Sequence, residues 1–175
     1  AACLGASCGK CAQACRYGAI DLNMQERSFS VQAKSLVLAS GWQPYDGAKL
    51  AETLGFGRLP GVVNNVTFER LAAGDGPTGG KVLRPGDGKE IESIAFVQCA
   101  GSRDQNHLDY CSAVCCMGSL KQAAYVRERL PRAQVHIFFI DARCPGRYED
   151  FYRKVASDPL VKTWRGKVAK VTRDE

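Results

Sequence analysis

The chain has 175 residues, 45% of them apolar and 24% charged, a balance that fits one ordinary domain or two small ones and excludes a disordered chain. Its net charge of +6 excludes little by itself, because the cations are scattered among acids, as in "RERLPR" and "RYEDFYRK", and form no stripe for nucleic acid. No direct membrane span is predicted: the longest apolar run, "VHIFFI", is far short of the roughly 18 residues a membrane helix needs.

The first residues, "AACLGASCGKC", carry no charged-then-apolar leader. They place a cysteine before any entry strand, so the sequence reads as an internal piece of a longer, soluble protein. Residues 8–16 then read as a short helix carrying Cys8, Cys11 and Cys15. "AIDLNM", "SFSVQ" and "SLVLAS" follow as three short strands, the first two joined as a hairpin. "GAKLAETL" and "TFERLAA" are short amphipathic helices, and "GDGPTGGKVLRPGDGKE" is a Gly/Pro-rich loop. From Ile94 the pattern becomes strand "IAFVQC", cysteine loop, helix from about Ser112 to Leu130, strand "QVHIFFID", loop "ARCPG" and helix "RYEDFYRKVA". That order implies a parallel crossover unit in an α/β fold. "VKTW" and "KVAKV" predict a closing hairpin.

Nine cysteines, eight of them in two tight clusters and Cys144 alone, odd in number and without a leader, argue for a metal or cluster rather than a secreted disulfide framework. The first cluster is C-x4-C-x2-C-x3-C, at Cys3, Cys8, Cys11 and Cys15. It resembles the cysteine run of bacterial ferredoxins, in which short loops wrap thiolates around a 4Fe-4S cubane. The first gap is longer by two, and Arg16 stands where that run has proline. Structural zinc and plain buried thiols are the alternatives. By the ferredoxin logic Cys3, Cys8 and Cys11 serve one cluster and Cys15 another.

The literal G-x-G-x-x-G match in "GDGPTG" follows a helix and precedes no helix start, so it lacks the logic of a pyrophosphate cradle. "SLVLASGWQP" is an apolar strand ending in a glycine turn, where backbone can approach a ligand. The second cluster, C-x11-C-x3-C-C, joins Cys99 at the carboxyl end of a strand to Cys111, Cys115 and Cys116 at the start of a helix. That edge is where open α/β sheets bind ligands. Cys111 and Cys115 are four apart on one helical face, and Cys116 points about 100° away. A cubane with separate corners suits that spread better than one small ion does. The alternatives are structural cysteines and a redox-active dithiol at Cys115 and Cys116.

The segments "SLVLASGWQPYD", "LGFGRLPGVVNN", "IAFVQCAGSRD", "YCSAVCCMGSLKQA" and "FFIDARCPGRYEDFY" resemble, in the same order, the heterodisulfide reductase A-subunit family of iron-sulfur flavoproteins. Within it, "CAGSRDQNHLDYCSAVCC" and "PGRYEDFY" look most like the branch in quinone-interacting membrane-bound oxidoreductase complexes of sulfate-reducing organisms. The resemblance implies a thioredoxin-reductase-like two-domain flavoprotein: a ferredoxin-like segment at residues 1–24, part of an FAD-binding domain at 25–93, a Rossmann-like domain at 94–160 and a return hairpin from 161. It implies FAD beside Ala39, Ser40, Gly41 and Trp42, and a 4Fe-4S cluster on Cys99, Cys111, Cys115 and Cys116. It also implies an oxidoreductase component of a cytoplasmic complex, attached peripherally to the membrane through partners, one of which is quinone-reactive. A zinc-stabilised interaction module and a thiol-disulfide oxidoreductase are the rival functions.

Overall fold

A computed structural model describes residues 3–174, in two compact units divided after Gly41. In the first unit, a single 3-10 turn at Gly5–Ser7 precedes α1, Lys10–Ala14. The expected helix over 8–16 is therefore shorter at both ends. Gly9 adopts the left-handed conformation (φ 61°) just before α1, so Cys8 lies outside the helix and the expected single stripe of three cysteines does not form. The three expected strands between Ala19 and Ser40 are also absent: the backbone there joins no sheet. Phe29, Leu36, Val37 and Leu38 are all at least four-fifths exposed. Strand propensity there is local, but a strand is stabilised by its partners, and no two of these segments pair.

The second unit starts with α2 (Ala51–Leu54), entered through a 3-10 turn, and α3 (Asn65–Ala72). Asn64 caps α3, its side-chain oxygen accepting from the Thr67 N–H at 2.8 Å. Both helices fall where the periodicity puts them, and the Gly/Pro-rich loop follows. The sheet is β1 (Ser93–Val97), β2 (Gln134–Phe139) and β3 (Val161–Arg165), all parallel, in the order β1-β2-β3. Crossovers through α4 (Cys115–Arg129) and α5 (Tyr148–Ala156) connect them. The expected α/β class and the parallel unit are present. Ile94 faces Val135 in register, and Val135 faces Val161.

The expected closing hairpin does not form. β3 pairs parallel with β2, and after Gly166 the chain leaves the sheet. Lys167 is held by Asp104 at 2.6 Å, and the Val171 N–H reaches the Thr53 carbonyl at 2.8 Å, so "KVAKV" is tethered elsewhere.

The core lies between sheet and helices: Phe96, Val135 and Ile137 meet Leu120, Ala123, Val126 and Val155. Phe68 of α3 meets Phe96 edge-on at 5.8 Å. Two arginines tie the far end of α4. Arg127 donates to the carbonyl of Leu130 at the helix C-cap, to those of Pro131 and Ala133 in the connection to β2, and to Asp158. Arg129 reaches the carbonyls of Ala72 and Gly80. With that end held by polar anchors, the opposite end of α4 faces the carboxyl edge of the sheet.

Candidate metal centre

In the first unit Cys3, Cys8 and Cys11 are exposed and Cys15 is half-buried. Two of these thiols accept backbone hydrogen bonds, Cys3 from the Gly5 N–H and Cys15 from the Ala19 N–H, each at 3.4 Å. The Cys15 thiol is held below its ordinary value, chiefly by the Ala19 amide and then by that of Tyr17. A backbone wrapped around sulfur in this way favours thiolate. Ala39, Ser40 and Gly41 are exposed, as is Trp42 just past the division between the units.

In the second unit the four expected cysteines lie along the stretch that runs from the end of β1 to the start of α4. The connecting loop is unusual. Cys99, Arg103 and Ala113 all have positive φ, 57°, 52° and 58°, and no other described non-glycine residue does. Each such residue costs on the order of 1 kcal/mol, and strain of this kind gathers at functional sites. The left-handed Ala113 stops the helix from reaching back to Ser112. α4 therefore begins at Cys115, and Cys111 belongs to the loop rather than to the helical face expected for it.

The loop is cross-braced. The Arg103 N–H donates to the Tyr110 carbonyl, that of Asp104 to Leu108 and that of Leu108 to Gly101. Arg103 also pairs with Asp141 at 2.6 Å, beyond β2, which Arg143 holds from the other side. At Gly101 (φ 75°) an added Cβ would lie 2.7 Å from the Tyr45 ring carbon Cζ. Tyr45 in turn hydrogen-bonds His107 at 2.6 Å. His107 is thus engaged within the loop, and Lys121 pairs with Glu69 instead of serving the thiols.

Cys99 and Cys116 are buried; Cys111 and Cys115 are half-buried. Cys111 accepts the Ala113 N–H at 3.4 Å. The Cys115 thiol is lowered, first by a hydrogen bond from Cys116, then by the Ser112 hydroxyl and the Cys99 N–H, against the opposing effect of burial. The Cys116 thiol donates to the Asp141 carbonyl at 3.8 Å, and it is raised by the neighbouring Cys115 thiol and then by burial. Burial, then the charges of Cys115 and Cys111, raise Cys99. These mutual effects place the thiols of one group within electrostatic reach of each other. Cys144 is half-buried against the core and adds its charge at Cys116.

Among the described residues no three cysteine, histidine or acidic side chains converge tightly enough to hold a single metal ion. Tetrahedral zinc would need its thiolates about 3.8 Å apart, given a ~2.3 Å bond. The donor set, four soft sulfurs spread around a braced loop with N–H donors and Arg143 nearby, fits a polynuclear thiolate cluster. A cleft of about 340 Å³ opens at the same edge, with Cys99, Gly101, His107 and Lys167 in its walls.

Sequence reasoning missed Gln98, Asp141 and the Gly101–Tyr45–His107 contact. The juxtaposition "QC" at a strand end was the only available signal for the first; the other two are tertiary.

The chain is 40% identical over 171 residues to the A-subunit of the ferredoxin/F(420)H(2)-dependent CoB-CoM heterodisulfide reductase of Methanosarcina acetivorans, a match to 97% of this chain. It is 36% identical over 169 residues to the iron-sulfur A-subunit of the CoB-CoM heterodisulfide reductase of Methanocaldococcus jannaschii, a match to 95% of this chain. Over nearly its whole length the chain is thus similar to one segment of heterodisulfide reductase A-subunits. It is also 33% identical over 166 residues, 94% of its length, to the A-subunit of the H(2):CoB-CoM heterodisulfide,ferredoxin reductase of Methanothermobacter marburgensis. The chain spans 21%, 26% and 25% of these three relatives, in the order given. No family model matches it. Both cysteine groups of the chain fall within the described residues.

Proposed function

We propose that this segment carries electrons through iron-sulfur clusters held by its two cysteine groups, within a larger flavin-containing oxidoreductase. The observation that carries the reading is the loop of the second group, which has three left-handed non-glycine residues between the end of β1 and the start of α4 and in which Cys99 and Cys116 are buried. The names of the relatives support the same chemistry. A bound 4Fe-4S cluster would supply one-electron acceptance and donation. The chain's own residues then have physical tasks. Cys99, Cys111, Cys115 and Cys116 hold the cluster, the Ala113 and Cys99 amides donate toward sulfur, and burial of Cys99 and Cys116 keeps water from that side. Cys3, Cys8, Cys11 and Cys15 would serve further clusters.

On the family likeness we also propose a thioredoxin-reductase-like frame for the whole protein, with FAD beside Ala39, Ser40, Gly41 and Trp42. Its partners would be other subunits of a cytoplasmic redox complex, one of them reacting with membrane quinone. Among the described residues no helix is long and apolar enough to cross a membrane, so such an attachment would go through the partners. A second reading has one observation of its own: the adjacent thiols of Cys115 and Cys116 are shifted in opposite directions, Cys115 down and Cys116 up, as in a dithiol with one activated sulfur.

Anaerobically purified full-length protein should be brown, with broad absorption near ~400 nm that bleaches on reduction. Cys116→Ser should lower iron content while the signal that depends on Cys11 persists. Equal iron in parent and Cys116→Ser would sink the assignment, and metal-free protein with a titratable disulfide would favour the dithiol.

A further inference from the structure

β1 ends at Val97, and Gln98 continues its alternation: its N–H donates to Phe138 at 2.9 Å, as a ladder residue would. Its side chain falls on the same face as Phe96, toward the core. There the residue is buried, only 5% exposed, and its amide nitrogen Nε2 has no hydrogen-bond partner. An orphaned donor of this kind costs about 1–3 kcal/mol, so a segment that otherwise satisfies its buried amides invites the question of what Nε2 bonds. Gln122, the other buried glutamine, shows the contrast: its Nε2 serves both the Asn65 carbonyl and Glu69.

The setting narrows the answer. Gln98 precedes Cys99 and lines both the larger cleft at this edge and, with Cys116, Leu120, Ile137, Phe139 and Tyr152, a small cavity of about 10 Å³. That volume is at the lower limit for one water, and an apolar wall offers such a water few partners. Sulfur is the acceptor that the cysteine group brings to this face. We propose that the Gln98 amide donates a hydrogen bond to the sulfur of the centre held by Cys99 and Cys116, and so sets how readily that centre is reduced. The inference rests on the cluster reading above. A donor to sulfur stabilises the more negative, reduced state, because a hydrogen bond strengthens as the acceptor gains charge. Gln98 is a tuning residue and not a ligand.

The test uses anaerobically purified full-length protein and a redox titration followed by electron paramagnetic resonance. Gln98→Met keeps the length of the side chain and removes the donor. At a fixed potential its reduced-to-oxidised ratio should fall about tenfold, a shift of ~59 mV for one electron. Gln98→Glu, with a carboxylate in place of the amide, should fall further. In parent protein grown with side-chain 15N-labelled glutamine, the reduced centre should show a nitrogen coupling that Gln98→Met lacks. Iron and signal that do not depend on Cys99 or Cys116 would defeat the cluster reading itself. An intact Cys99-dependent centre with the same potential in parent and Gln98→Met would overturn the role of Gln98 alone. If Gln98→Met fails to retain iron, the labelled parent decides: no nitrogen coupling means that water or nothing meets the amide.

Discussion

The two cysteine groups have nearly the same chemistry and very different support. Cys3 and Cys8 flank a 3-10 turn and Cys11 sits on a five-residue helix; all three are exposed, and neither element buries a side chain. Cys99 and Cys116 are buried at the ends of a strand and a fifteen-residue helix that share the core. Apolar burial builds the second frame before any ligand arrives. The first has only backbone turns and N–H···S contacts, so a ligand must supply much of its order.

Metal removal should separate them most. Chelation under reducing conditions should leave amides of Phe96, Ala123, Val135 and Ile137 protected from hydrogen exchange, because they lie in the packed unit. Amides of residues 3–18 should exchange close to the rate of an open chain. With about 5 kcal/mol of global stability in the packed unit, the protection factors would differ by roughly 10³ or more. Equal protection in both regions after chelation would mean that local packing, not metal, orders the first group.

The contrast also accounts for what could be read from the chain. β1, α4, β2 and α5 were legible because their patterns reflect burial against one core, and a buried face leaves a period in the sequence. The carboxyl-edge position of Cys99 followed from that order. "SFSVQ" and "SLVLAS" carry the same strand preferences but have no partner in the described residues, and preference without pairing leaves Phe29 and Leu36 exposed. The start of α4 was misplaced because Ala113 sits in a left-handed conformation that alanine does not advertise. The orphaned Gln98 amide could not be read at all, since satisfaction is a property of neighbours.

The support of the second group can be tested at its loop. Gly101 adopts a left-handed φ of 75° and lies under the Tyr45 ring. Gly101→Ala should cost about 1–2 kcal/mol in backbone strain. Displacing Tyr45 from His107 should add about 1 kcal/mol, for a total of about 2–3 kcal/mol in urea denaturation. Cys99-dependent iron should fall with it, while the first group keeps its metal. Unchanged stability would mean that the backbone hydrogen bonds of the loop and the Arg103–Asp141 pair brace it without the Tyr45 contact.

The smallest effect concerns the frame at the far end of α4. Burial pushes the Asp158 carboxyl up, but hydrogen bonds from Arg127 and the Leu160 amide outweigh it and hold the group below its ordinary value. A carboxyl lowered by folding stabilises the native state above its unfolded value, about pH 4, and this contribution is lost as pH falls through the folded value. Asp158 is 29% exposed and Arg127 17%, so water screens the pair only partly. Its loss should cost about 1 kcal/mol or less. Asp158→Asn keeps an acceptor for Arg127 without the charge. Between about pH 5 and pH 2, urea midpoints of the variant should fall less steeply than those of the parent, and the two curves should converge at the acid end. Parallel curves would show that Arg127 anchors the helix through the carbonyls of Leu130, Pro131 and Ala133, with no net contribution from the ion pair.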